Sequence, residues 1–127
     1  MGVKSVVIVE DEPETAEMLA EMMRLVGYEV FQSFGGLRAV ELIAEKRPTA
    51  VLLDQMMPEI PGLEVLQSIR LDSRLRDIPV IMISAKCLPA DIARGREAGA
   101  AFYLTKPVAF LELVSALAQV TSQQGQI

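Results

Sequence analysis

The chain predicts an α/β fold built on a five-stranded parallel sheet, and three observations carry that prediction. Five short β-rich apolar runs, at 3–9, 28–31, 50–53, 80–83 and 101–104, alternate with stretches of helical periodicity, the pattern of βα units joined by right-handed crossovers. The runs lack clean alternation, as expected of strands covered on both faces. Four of the five end in residues able to do phosphate or metal chemistry: Glu10-Asp11, Asp54, Ser84 and Thr105-Lys106-Pro107. In a parallel sheet the carboxyl ends share one edge, where open α/β sheets place their ligands.

The first run leads to Pro13, which suits the first turn of a helix. Glu14, Glu17, Glu21 and Arg24 make its solvated face, and Ala16, Leu19, Met23 and Val26 its buried one. Gly27 is a good C-terminal breaker. Residues 28–31 read as a strand, Gly35-Gly36 as a turn and 37–46 as a helix with Val40, Ile43 and Ala44 on one side, ended by Pro48. The strand at 50–53 leads through a Pro61-Gly62 loop to a helix at about 63–71 and a polar loop reaching Asp77. The strand at 80–83 precedes a helix opened by Pro89 and closed near Gly99. A short strand at 101–104 and a helix at about 108–120 complete one domain, 1–120, leaving 121–127 as a polar tail or the start of a linker.

At 127 residues the chain can bury a core without staples. Its net charge of −5 leaves no broad Lys/Arg face for a phosphate backbone, so direct nucleic-acid binding is not expected. No apolar run approaches the roughly 20 residues of a membrane span. A single cysteine, Cys87, and a start without a signal-peptide pattern read as a cytoplasmic protein. Histidine is absent, which removes the commonest general base, the usual zinc ligand and any phosphohistidine.

Taken singly, each site residue has an ordinary explanation. Glu10, Asp11 or Asp54 could be a helix cap or a surface acid, Ser84 a cap, and Tyr103 a packing residue with its hydroxyl in water. Taken as an ordered set, the acids after the first strand, Asp54 after the third, Ser84 after the fourth and Lys106-Pro107 after the fifth resemble the receiver (CheY-like) domain of bacterial two-component response regulators. The resemblance spans about residues 3–120.

That resemblance implies strand order 2-1-3-4-5 with helices on both faces, the flavodoxin-like doubly wound arrangement. It implies a Mg²⁺-dependent phosphoacceptor in phosphorelay signalling, with Asp54 taking a phosphoryl group from a sensor histidine kinase or a histidine phosphotransfer protein. The chain would be a signalling phosphoacceptor that catalyses only its own phosphoryl transfer and slow dephosphorylation. A carboxylate attacking phosphorus needs its repulsion from an anionic donor neutralised, and Mg²⁺ held by carboxylates is the usual means. Asp11 and Asp54 are the expected direct ligands, with the Met56 main-chain carbonyl; Glu10, where the family usually has Asp, is expected to act through water, and its longer arm leaves direct ligation open. Lys106 supplies a second cation, paired with Asp54 beforehand and with a phosphate oxygen afterwards. Ser84 donates to another phosphate oxygen, and Tyr103 changes rotamer with it. Lys106-Pro107 matches the family's cis X-Pro bond.

Two surfaces suggest partners. Met18, Met22 and Leu25 form an apolar stripe beside the buried face of the first helix, suited to docking a phosphodonor or else finishing the core. The last helix is apolar over ten of the thirteen positions from Val108 to Val120, with Glu112, Ser115 and Gln119 as a narrow polar stripe. Phe110, Leu111, Val114 or Ala118 is thus expected to remain partly uncovered, a face for an output protein or a phosphorylation-linked homodimer. Other functions fare worse. An FMN protein needs a phosphate-holding first loop, which Glu10-Asp11-Glu12 would repel. An aspartate-nucleophile phosphohydrolase needs a second acid where Met56 stands. A receiver-fold scaffold that is never phosphorylated would keep uncompensated like charges without benefit.

Overall fold

In the computed structural model, which describes residues 3–124, five parallel strands lie in the order β2-β1-β3-β4-β5. The elements are β1 (Ser5–Val9), α1 (Pro13–Leu25), β2 (Glu29–Ser33), α2 (Ala39–Lys46), β3 (Ala50–Asp54), α3 (Gly62–Leu71), β4 (Val80–Ser84), α4 (Pro89–Glu97), β5 (Phe102–Thr105) and α5 (Phe110–Gln124). Every residue of β1, β3 and β4 is buried, whereas the edge strand β2 is half-exposed. Continuous apolar runs therefore mark the centre of the sheet, because helices cover both of its faces.

Successive residues of a strand point to opposite faces, and the core divides accordingly. Val6, Ile8, Leu52, Ile81 and Ile83 pack with Leu19 and Met23 of α1 and with Leu113 and Leu117 of α5. Val7, Val9, Val51, Leu53, Val80 and Met82 pack with Ile43 of α2, with Leu66 and Ile69 of α3 and, at the margin, with Ile92 of α4. A side chain of this size buried fully in either layer contributes about 1.5–3 kcal/mol.

Several boundaries differ from the sequence reading. β2 runs on to Ser33, paired with Val9 of β1; its polar end, Gln32-Ser33, carries no strand signal because an edge strand need not be apolar. α5 begins at Phe110 and continues to Gln124, so 121–124 belong to the last helix. Thr121 holds that turn by donating its hydroxyl to the Leu117 carbonyl at 2.8 Å. The remainder of the expected tail, 125–127, lies outside the described residues. Val26 caps α1 and is exposed, and Ala20 takes its place in the buried face. Gly27 closes α1 at a φ of +93°, where a side chain would be strained.

Register positions the site. Asp54 stands opposite Ile83, and Ser84 opposite Thr105, so the residues following β1, β3, β4 and β5 line one edge.

Candidate functional site

Glu10 follows β1 directly, and its amide donates to the Ser33 carbonyl at 3.0 Å. Its side chain is 1% exposed, that of Asp54 3%, and Asp11 is half-buried. One carboxylate oxygen from each of the three lies within 4.8 Å of the others. α1 does not consume these acids as caps. Glu12 is its N-cap, accepting from the Thr15 amide at 3.0 Å and from the Thr15 hydroxyl. A capping role is open to Glu10 or Asp11 in sequence; the geometry gives it to the next residue and leaves both of them to the site.

Lys106 meets this cluster from the end of β5. Its ammonium lies 2.9 Å from Glu10 Oε1 and 3.3 Å from Asp54 Oδ1. The expected pairing with Asp54 is present, and the shorter contact is to Glu10. Burial, aided by the charge of Asp54, pushes the Glu10 carboxyl above its ordinary value against the opposing Lys106 hydrogen bond. Burial also works to lower the Lys106 ammonium, but the Glu10 hydrogen bond and the two carboxylate charges outweigh it and hold the ammonium above its ordinary value. Three carboxylates with one ammonium leave negative charge at the edge of the sheet. Hard oxygen donors in that arrangement fit a small divalent cation.

The turn after β3 fixes Asp54. The Met56 amide donates to Asp54 Oδ1 at 3.3 Å, which sets the Met56 backbone beside that carboxylate while its side chain is exposed. α3 begins hard against this turn. The Gly62 amide donates to the Gln55 carbonyl at 2.9 Å, and a Cβ on Gly62 would collide with the Asp54 carbonyl and lie 2.7 Å from Gln55 Cα. In sequence Pro61-Gly62 reads as a loop signal; close backbone approach is the stricter reason for glycine there.

Ser84 is fully buried and accepts from the Lys86 amide at 3.0 Å. That bond uses an acceptor lone pair and leaves the hydroxyl proton to donate. Tyr103 is 8% exposed, with its ring inside the α2–α3–α4 layer, so its hydroxyl is not in water. Its partners are Gln55 Oε1 at 2.5 Å and the Lys86 carbonyl at 2.8 Å. Sequence reasoning misses Gln55; a polar residue continuing a wholly buried strand is the available signal. Lys106-Pro107 is cis, as expected.

On α1, Met18 and Leu25 are exposed, while Met22 leans on the core. Met18 borders a cavity of about 370 Å³ shared with Thr15, Leu19, Ile83, Lys106, Pro107 and Val108. On α5, Leu111 is 78% exposed, Phe110 and Val114 are half-buried and Ala118 is exposed. No helix among the described residues is long and apolar enough to cross a membrane.

Comparison with known proteins agrees with this fold. The chain is 37% identical over 114 residues to the polar-differentiation response regulator DivK of Brucella anthropi, covering 87% of this chain and 93% of that protein. It is 35% identical to the phosphate regulon transcriptional regulatory protein PhoB of Pseudomonas aeruginosa, spanning 96% of itself and 53% of PhoB. Among solved structures, the receiver domain of the sensor histidine kinase PA1611 from Pseudomonas aeruginosa PAO1 superposes with a TM-score of 0.87 at 29% identity. The match covers 95% of this chain and 99% of that one, which was crystallised with a magnesium ion coordinated in its active-site cleft. The chemotaxis protein CheY4 of Vibrio cholerae gives 0.88 at 25% identity, covering 94% and 99%. Residues 6–118 match the response regulator receiver domain family, and the chain belongs to that family: it is a receiver domain of two-component signalling.

Proposed function

We propose that Asp54 is the phosphoacceptor, receiving its phosphoryl group from a histidine of a sensor kinase or phosphotransfer protein in the cytoplasm. In this transfer an Asp54 carboxylate oxygen bonds to phosphorus as the donor's phosphorus–nitrogen bond breaks, and the imidazole departs. The observation that carries the reading is the convergence of Glu10, Asp11 and Asp54 with Lys106 at one sheet edge.

Each side chain has a task. Lys106, already beside both carboxylates, neutralises charge on the transferring group, and Ser84 donates its free proton to a phosphate oxygen. Mg²⁺ fits the donor set of Asp11, Asp54 and the Met56 carbonyl, with Glu10 reaching it through water, and when bound it offsets the negative charge of donor and acceptor. Tyr103 reports phosphorylation to the face built by α4, β5 and α5, which then binds an output protein or a second copy of the chain. Met18, Met22 and Leu25, beside the cavity at Lys106, dock the donor. The chain is a signalling component that neither contacts nucleic acid directly nor turns over a small-molecule substrate.

The test is intact mass after incubation with a small phosphodonor and Mg²⁺. Wild type should gain one phosphoryl mass, Asp54→Ala none, and Asp11→Ala or EDTA-treated protein much less. A full gain in Asp54→Ala would overturn the assignment.

A further inference from the structure

The residue after the acceptor reaches the switch tyrosine directly. Gln55 is 6% exposed, and its Oε1 faces the Tyr103 hydroxyl at 2.5 Å, across 48 positions of sequence. The phenol has one proton for two oxygens, Gln55 Oε1 and the Lys86 carbonyl. The two acceptors share that proton, or the Gln55 amide turns its NH₂ to the phenol oxygen; Gln55 grips the ring in either arrangement. Its backbone is held from both sides, its amide donating to the Ile83 carbonyl and its carbonyl accepting from Gly62. The far side of the ring is open only because residue 95 is glycine. A Cβ there would lie 2.7 Å from Tyr103 Cδ2 and 2.9 Å from Cε2.

We infer that Gln55 is a positioning residue that holds Tyr103 inward, in a slot that Gly95 leaves open in α4, and so sets how far the switch is populated before phosphorylation. This rests on the proposed role of Tyr103 as the switch. It adds, beside the Ser84 hydroxyl that also reaches Tyr103, a route from the acceptor strand to the output face through the neighbour of Asp54. The resting populations of a two-state element are set by the free energy that separates its states before any ligand arrives, so the Gln55 grip fixes how much of the ring is inward before phosphorylation.

The chain has no tryptophan and two tyrosines, so Tyr28→Phe leaves Tyr103 as the sole emitter. In that background, without phosphodonor, Gln55→Met should raise the outward population about fivefold, the order expected for one lost net hydrogen bond, and increase acrylamide quenching of Tyr103 accordingly. Gly95→Ala should do the same by filling the slot without touching the hydroxyl. Unchanged quenching in a Gln55→Met protein that melts like its parent would overturn the inference, as would a response to Gly95→Ala alone, which assigns the ring's position to packing. If Gln55→Met is poorly folded, Gln55→Asn withdraws the amide by one methylene and is read in the same way. Adding phosphodonor and Mg²⁺ to the Tyr28→Phe parent tests the switch itself. No change in quenching there refutes the switch reading while leaving the Gln55 result standing.

Discussion

The Lys106 ammonium lies nearer to Glu10, at 2.9 Å, than to Asp54, at 3.3 Å. Its shorter bond is thus to an acid other than the proposed phosphoacceptor. The pairing keeps the cation in place while leaving Asp54 less tightly engaged. Lys106→Met should leave the buried Glu10 carboxylate without its cation, held only by the Glu12 amide at 3.2 Å, and lower metal-free stability by about 1–3 kcal/mol, the cost of losing a hydrogen bond to a charged group. Urea denaturation measures this. Added Mg²⁺ should recover more stability in the variant than in wild type, because the metal replaces a missing cation; equal recovery would contradict the account.

Asp54→Asn should act in the opposite direction. Three acids within 4.8 Å, with one ammonium among them, repel one another. Removing a charge while keeping an oxygen for the Met56 amide should stabilise the metal-free protein by roughly 1 kcal/mol and weaken Mg²⁺ binding. Melting curves with and without Mg²⁺ check both halves, and a lower metal-free melting temperature for Asp54→Asn would count against electrostatic frustration.

Donor docking can be separated from donor chemistry. Met18 is exposed beside the cavity at Lys106, so Met18→Lys should change stability by no more than about 0.5 kcal/mol. Transfer from the cognate kinase should slow about tenfold, with small-donor phosphorylation unaffected. Equal loss with both donors would remove α1 from the docking surface.

Leu111 tests the output face. Because it is 78% exposed, Leu111→Asp should also leave stability within about 0.5 kcal/mol of wild type. It should reduce any phosphorylation-dependent increase in sedimentation coefficient or target affinity. A full increase in the variant would place the interface elsewhere.

Away from the site, Arg74 hydrogen-bonds Asp72 through its side chain and its backbone amide and holds that carboxyl at about 2. A depressed acid contributes stability that is present above the unfolded value of 3.8 and is lost as pH falls toward 2. The pair sits at the protein surface, so solvent screening keeps the effect small. NMR titration should place this carboxyl below the other surface acids, and Arg74→Ala should return it to the ordinary range.

Local pattern settled the alternation of strand and helix, the parallel sheet and the acidic edge, while the strand order came from the family resemblance. Val6-Val7-Ile8-Val9, Val51-Leu52-Leu53 and Val80-Ile81-Met82-Ile83 are apolar on both alternating faces, which requires a sheet covered twice. Parallel strands then bring Glu10, Asp11, Asp54, Ser84 and Lys106 to one end whatever the details of packing. What lay beyond local pattern was decided by contacts between distant segments. The polar end of β2 became strand because β1 offered it partners. Lys106 found Glu10 across 96 positions, and Tyr103 was drawn inside because Gln55 and Lys86 supply polar partners while Gly95 leaves room for the ring. Strand period and turn chemistry act within a few residues and are written in sequence order. The hydrogen-bond partner of a buried hydroxyl or ammonium depends on which segments the finished sheet sets side by side.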